Sequence, residues 1–566
     1  MRARRVLPSR RLLALLAVLA VVGGTAWWVS EDRGPGRGGA PLVDATGAPD
    51  ADPSVCAQRV NRTPQMLVDC VTTSGVWAHM ERFQQIADAH PGADGHPSRN
   101  SGEPGYKASV DYVADVMRAA GYDVTLQQYT FHYFSWVGTP VLSLVSPSAH
   151  AFRVGTEFDP GPVAGTATAA VQPVQGMVVP ATSAARSSSG CRAVDFAGFV
   201  RGRIALVQRG GCTFDVKVAN ATAAGASAVV LFNEGTTDRS GVFAGVLSDQ
   251  ARVPVVFTSY AVGAGLVAQS RSGARSVVTV EVRTVDDPNR ADWNVIADSR
   301  TGDPDNVLVV DAHLDAIYGA GMLDNASGSA AILEIARQLR NTPTRNRLRF
   351  IWFGGEELGL LGSDHYVNSL APAELAKVKY DLDADVLATP NYVAGVIDPQ
   401  DGVGLFQRQP GTPMSPGIFG ASAIARDHAI GYLESIRKNH VLLSADGTDA
   451  FMFQLAGIPA SGLLTGQDCC KLASDVRLFG GHVGNYEGTV PGTDGGCADR
   501  AFRWCDTLDD NDPHVLTWMS KTLAEMVGHM ASDRKAFTSS PLPGVRAVEL
   551  PPFGRRPGTL PGATDQ

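Results

Sequence analysis

"FIWFGGEELGLLGS", residues 350–363, sets two glutamates side by side between glycines at the end of an apolar run. In a regular strand, successive side chains point to opposite faces, so Glu356 and Glu357 could not serve one site there. They can do so where the chain leaves the strand and turns, and the glycines permit that turn. On this reading "RLRFIWF", residues 347–353, is a strand and the glutamates stand at its carboxyl end. The plain alternative is an exposed turn with two solvated charges, and the flanking sequence has to decide.

Working outward, strands and helices alternate from Asp292 onward. "NVLVVDA" (306–312) reads as a buried strand and "GSAAILEIARQLRN" (328–341) as a helix; "YDLDADVLA" (380–388) and "GIPASGLLTG" (457–466) read as further strands. Such alternation predicts an α/β fold with a mostly parallel sheet covered by helices. Ligands in these folds gather at the carboxyl ends of the strands. Standing there are His313 and Asp315 in "HLD", Glu356 and Glu357, and Asp385; Asp324 lies in the glycine-rich "GAGMLDNASGSA" (319–330). One histidine and several acids thus converge on one rim. Nitrogen and carboxylate donors without thiolate suit zinc in a catalytic site. A carboxylate shared by two ions would allow a two-metal centre, with ions about 3.5–4 Å apart. A separate carboxylate could then act as general base, so Glu356 and Glu357 can divide metal binding and proton transfer between them.

The rest of the chain frames this domain. With 566 residues, more than one core is expected. A net charge of −9 counts against nucleic acid as a partner. Arginines precede an apolar run from Leu12 to Val29, the pattern of an export signal over residues 1–29, with an uncleaved membrane anchor as the alternative. Either places the body outside the cytoplasm, with the membrane reached only through that anchor. Residues 30–55 read as a flexible linker and 538–566 as a disordered tail. The eight cysteines fit an exported chain with disulfides. Local pairing gives Cys56–Cys70, Cys191–Cys212 and Cys497–Cys505, leaving Cys469 and Cys470 for a vicinal bridge or cross-pairing. Residues 67–120 are largely helical in pattern, and "YDVTLQQYTFHYF" (122–134) alternates like a strand. Residues 151–285 have another texture, rich in Val, Ala and Gly, and read as a compact α/β insert between two parts of the main domain, 56–150 and 286–537.

"HLD", "GMLDNASGSAAILEIAR", "FGGEELGLLGSDHYV", "DADVLATPNY" and "AGIPASGLLTG" together resemble the secreted di-zinc aminopeptidases of the aminopeptidase Y and Streptomyces aminopeptidase type. The insert, with "GRIALVQRGGCTF" and "AGASAVVLFNE", resembles a protease-associated domain. The resemblance runs from about residue 60 to about residue 535 and implies the three-layer zinc-exopeptidase fold. It implies an exported enzyme that removes N-terminal residues from peptide substrates. His313 and Asp385 would hold one zinc, Asp324 would bridge two, Glu357 would bind the second, Glu356 would be the general base, and Asp315 would orient His313. The chain departs from the family pattern in "CADRAFRWCD" (497–506), where Phe502 stands at the position of a second-zinc histidine. His482 or Asp499 could supply that ligand, or one metal could suffice. The alternative function is a catalytically weak or inactive binding ectodomain of the same fold.

Overall fold

The apolar runs "NVLVVDA", "RLRFIWF" and "YDLDADVLA" lie in neighbouring strands. The computed structural model describes residues 52–182, 186–236, 239–243, 245, 247, 251–405, 410–467, 471–484, 486, 504 and 506–532. The N-terminal signal or anchor, the tail, Cys469, Cys470, Cys497, Asp499, Phe502 and Cys505 lie outside them. Strand β1 (Asp123–Trp136) is followed by β2 (Val141–Ser146), β3 (His150–Ala151), β4 (Phe158–Pro160), β5 (Gly165–Pro173), β6 (Ile204–Gln208), β7 (Ala228–Phe232), β8 (Val255–Thr258) and β9 (Val277–Val282). Then come β10 (Thr284–Asp298), β11 (Asp303–His313), β12 (Asn346–Phe353), β13 (Val378–Asp385), β14 (Gly395–Ile397), β15 (Val441–Leu443) and β16 (Ala460–Leu464).

The main sheet has the order β1-β10-β12-β11-β13-β16-β14-β15. Its centre is parallel: β11 pairs with β12 and β13, and β13 with β16. Antiparallel pairs flank that centre, β1 with β10, β10 with β12, and β14 with β16. Parallel neighbours require crossovers, and helices such as Ser327–Leu339, between β11 and β12, provide them. The two faces of the strands bury different residues, as the two-residue period demands. Leu308, Val310, Ala312, Phe350, Trp352 and Leu382 pack beneath the helices Thr73–Ala89, Pro104–Ala119, Ser327–Leu339 and Pro513–Met530. Val307, Val309, Ile351, Phe353 and Val378 pack against the helices Leu361–Ser369 and Ala450–Leu455 on the opposite face. The result is three layers, and burial on both faces explains why the strands read as near-continuous apolar runs.

The second sheet has the order β3-β2-β9-β5-β6-β7-β8-β4, with β5 to β8 parallel in sequence and its own apolar core. Its strand β2 comes from residues that the sequence assigns to the preceding segment. It hydrogen-bonds to β9. Two of the expected disulfides are formed, Cys56–Cys70 and Cys191–Cys212. The second closes a separation of 21 residues across the glycine turn after β6. Replacing Cys191 and Cys212 by serine is expected to cost about 3 kcal/mol by releasing that loop in the unfolded chain. A lowered urea midpoint, followed by a probe in the insert, checks it. Among the described residues no helix is long and apolar enough to cross a membrane.

Candidate active site

Each side chain of the predicted rim is delivered by a break in regular structure. His313 is the last residue of β11 and Asp385 the last of β13. Strand β12 ends at Phe353, and Gly355 then adopts a positive φ of 66°, so Glu356 and Glu357 leave the strand on a turn. The amides of this turn are held one by one. Gly354 N donates to Asn294 Oδ1 (3.1 Å), Gly355 N to Ser101 Oγ (2.8 Å) and Glu356 N to Asp315 Oδ1 (3.2 Å). Asp324 sits in the segment Met322–Ala326 with extended-side dihedrals (φ −114°, ψ 95°), just before the helix Ser327–Leu339.

That helix start ties the separate loops together. Asn325 Nδ2 donates to Ala384 O (2.8 Å), and Asn325 Oδ1 accepts from Val386 N (3.1 Å), so the residues on either side of Asp385 are fixed to the neighbour of Asp324. Ser329 Oγ donates to the carbonyl of His313 (2.7 Å). From the far end of the chain, Asp506 accepts the amides of Leu323 (2.6 Å) and Asp324 (3.0 Å).

The functional atoms converge. His313 Nε2 lies 2.9 Å from Asp324 Oδ1, 3.3 Å from Asp385 Oδ1 and 3.9 Å from Glu356 Oε2. His313, Asp324 and Asp385 each offer a donor atom within 4.8 Å of the others. His313 Nε2 and Asp385 Oδ1 are buried and make no hydrogen bond, although oxygen surrounds the nitrogen at contact distance. Nitrogen and carboxylate donors brought to contact distance in this way fit a divalent cation of the zinc type. On its other side, His313 Nδ1 faces the carbonyl of Asp315 at 3.2 Å and its carboxylate at 3.5 Å.

Electrostatics repeat the point. Burial opposes a charged His313, yet the Glu356 charge and the Asp315, Asp324 and Asp385 contacts outweigh it and push its pKa well above the usual range. Burial raises the Glu356 pKa well above the ordinary carboxyl value, with Glu357 adding repulsion against the opposing pull of His313. Clustered acids of this kind hold protons unless a cation replaces them. Below the rim, burial also raises Asp311, Asp381 and Asp449, with mutual repulsion adding to it.

Of the residues expected at the site, His313, Asp315, Asp324, Glu356 and Asp385 are brought together. Glu357 is partly buried and acts on Glu356 through its charge, but lies outside the tight three-residue group. His482 is exposed; its amide donates to Asn391 Oδ1 (3.1 Å), its carbonyl accepts from Asn391 Nδ2 (3.0 Å), and it is no member of that group. Sequence reasoning passed over Asp506, Asn325, Ser329, Ser101 and Asn294. Asn325 and Asp506 stand inside quoted motifs, "LDNAS" and "CD", and polar neighbours of predicted ligands were the available signal.

Comparison with known proteins gives the family and the fold. Residues 294–527 match the model of peptidase family M28, and residues 174–266 match the PA domain. An aminopeptidase of Pseudomonas aeruginosa PAO1 is 34% identical over 477 residues, covering 83% of this chain and 85% of that one. A probable lipoprotein aminopeptidase, LpqL, of Mycobacterium tuberculosis is 34% identical over 539 residues, covering 93% and 95%. The solved zinc aminopeptidase of Bacillus subtilis shares the fold with a TM-score of 0.52 at 20% identity, over 84% of this chain and 99% of that one.

Proposed function

The chain belongs to peptidase family M28, and from that premise we propose that it is an exported, zinc-dependent aminopeptidase acting on peptides, with Glu356 as its general base. The observation that carries this reading is the convergence of His313 Nε2, Asp324 and Asp385 beside Glu356 at the carboxyl ends of parallel strands. His313, Asp324 and Asp385 would hold zinc, with Asp324 and Glu357 available to a second ion. When bound, zinc supplies Lewis acidity toward the scissile carbonyl and acidifies the attacking water. Glu356 takes the proton from that water on its carboxylate and gives it to the departing amine. Asp315 aligns both partners, facing His313 Nδ1 while accepting the Glu356 amide.

The acid-rich rim also favours a substrate whose free α-amino group is cationic. Export rests on the basic and apolar run of residues 1–29 and on the cysteine content. The test compares aminoacyl-nitroanilides with a free and an acetylated α-amino group. Acetylation is expected to lower kcat/KM by about 100-fold or more, because a site built for that group is left unpaired. Equal rates on both substrates would sink the aminopeptidase reading.

A further inference from the structure

The six residues Ser98–Glu103, "SRNSGE", contact both halves of the site without being among its expected ligands or base. Arg99 has no exposed surface. Its guanidinium donates to the carbonyls of Leu314 (2.7 Å), Ala320 (2.7 Å) and Gly321 (2.5 Å), and its amide donates to Gly319 O (2.9 Å). These four carbonyls belong to the loop that runs from His313 to Asp324. Asn100 bridges to Ala316 of the same loop. Two residues after Arg99, Ser101 Oγ accepts the Gly355 amide at the turn that carries Glu356, and it faces the buried Asp292 carboxylate. The segment is anchored on its outer side, where the Glu103 carboxylate accepts from Ser98 Oγ, Tyr133 Oη and Ala93 N.

A single short segment therefore grips the loop that ends in Asp324 with one residue and the Glu356 turn with another. A guanidinium is the group suited to the first task, because its fixed fork reaches three carbonyls at once, which an ammonium cannot do in the same geometry. Its charge also lies among acids: the fields of Asp506, Asp315 and Asp324 favour the cation that burial disfavours.

We propose that Ser98–Glu103 is a positioning strap, in which Arg99 sets the metal-binding loop ending at Asp324 and Ser101 sets the turn carrying Glu356. The inference rests on the hydrolase reading above and assigns separable tasks to two residues that touch neither substrate nor metal. Removing a group that orients a metal ligand costs about 10- to 100-fold in metal affinity. A displacement of about 1 Å at a base can cost about 100-fold in rate.

The test uses full-length wild type, Arg99→Lys, Ser101→Ala and a remote control, Tyr122→Phe, whose hydroxyl donates only to Ala336 O in the helical layer. Zinc affinity is read by chelator competition, and kcat and KM are read well below every melting temperature. Arg99→Lys is expected to weaken zinc binding by about 10- to 100-fold. Ser101→Ala is expected to lower kcat by about 10- to 100-fold, with KM and zinc affinity within about twofold of wild type. Tyr122→Phe lowers the melting temperature alone, as a merely structural residue would. Wild-type zinc affinity in Arg99→Lys, or wild-type kcat in Ser101→Ala, overturns the strap. Should Arg99→Lys fail to fold, Arg99→Gln, which keeps a donor, is measured in its place against the same thresholds. A wild-type protein that binds zinc and hydrolyses nothing overturns the hydrolase reading, and the zinc-affinity arm still decides the strap.

Discussion

Glu356→Gln is expected to lower kcat by about 1,000-fold while the protein stays folded and keeps its zinc. The substitution preserves shape and the turn geometry, since the Glu356 amide, not the side chain, makes the contact to Asp315. What it removes is, among the described residues, the carboxylate that lies near His313 Nε2, at 3.9 Å, without belonging to the three-donor group. An amide cannot take a proton from water at neutral pH, so the proton has no acceptor on the attacking side. The stability consequence has the opposite sign. In the metal-free protein burial disfavours the charged Glu356 carboxylate, with Glu357 adding repulsion against the pull of His313, and a neutral amide of the same shape carries no such penalty. The melting temperature of metal-free Glu356→Gln should therefore equal or exceed that of wild type. A structural role would give the reverse pattern, with a lowered melting temperature and a proportionate loss of active protein. A decrease of kcat smaller than about tenfold at full zinc content would remove Glu356 as the general base.

How much of this was legible in the sequence depends on distance along the chain. His313, Glu356 and Asp385 could be found because each follows an apolar run whose carboxyl end is a predictable place for chemistry. Asp324 could be found because glycines surround it. The mostly parallel sheet covered by helices followed from the alternation of strand and helix patterns, and the three-layer fold from the family resemblance. The strand order did not: β12 lies between β10 and β11, and periodicity says nothing about which crossover returns to which neighbour. Nor does it say which sheet takes Val141–Ser146, whose apolar residues suit either. The supporting polar residues were hidden for the same reason. Asp506 pairs with Leu323, 183 residues earlier, and Ser101 with Gly355, 254 residues later. A serine or aspartate outside a helix is ordinary in a sequence, and only the fold reveals that its partner is the backbone of a catalytic loop. His482 shows the converse. It stood as a candidate ligand because it is near the altered loop in sequence, and the structure spends its backbone on Asn391 and leaves its side chain at the surface.

The second large effect is that of metal on stability and activity together. Chelation should abolish hydrolysis and lower the melting temperature, and zinc should restore both. At about 1,000 times its dissociation constant, a ligand specific to the folded state adds about 4 kcal/mol. The structure explains why the effect should be this direct. Without a cation, His313 Nε2 and Asp385 Oδ1 are buried with no hydrogen bond, and the acids around them repel one another. A cation supplies the missing partner and removes the repulsion in one event. The dependence on pH follows with a definite sign. Zinc needs the unprotonated imidazole, and the metal-free site raises the His313 pKa, so binding must displace a proton. Zinc-induced stabilisation should therefore weaken as pH falls below neutrality, where protons compete, and grow as pH rises toward the raised pKa. His313→Ala removes one of the three converging donors and should abolish most of the zinc-dependent shift. Scanning fluorimetry of wild type and His313→Ala with and without zinc, at two pH values, reads all of this in one experiment. A zinc-dependent shift of equal size in His313→Ala would place the metal elsewhere, and the absence of any shift in wild type would mean that the converging donors at the end of β11 and β13 do not hold it.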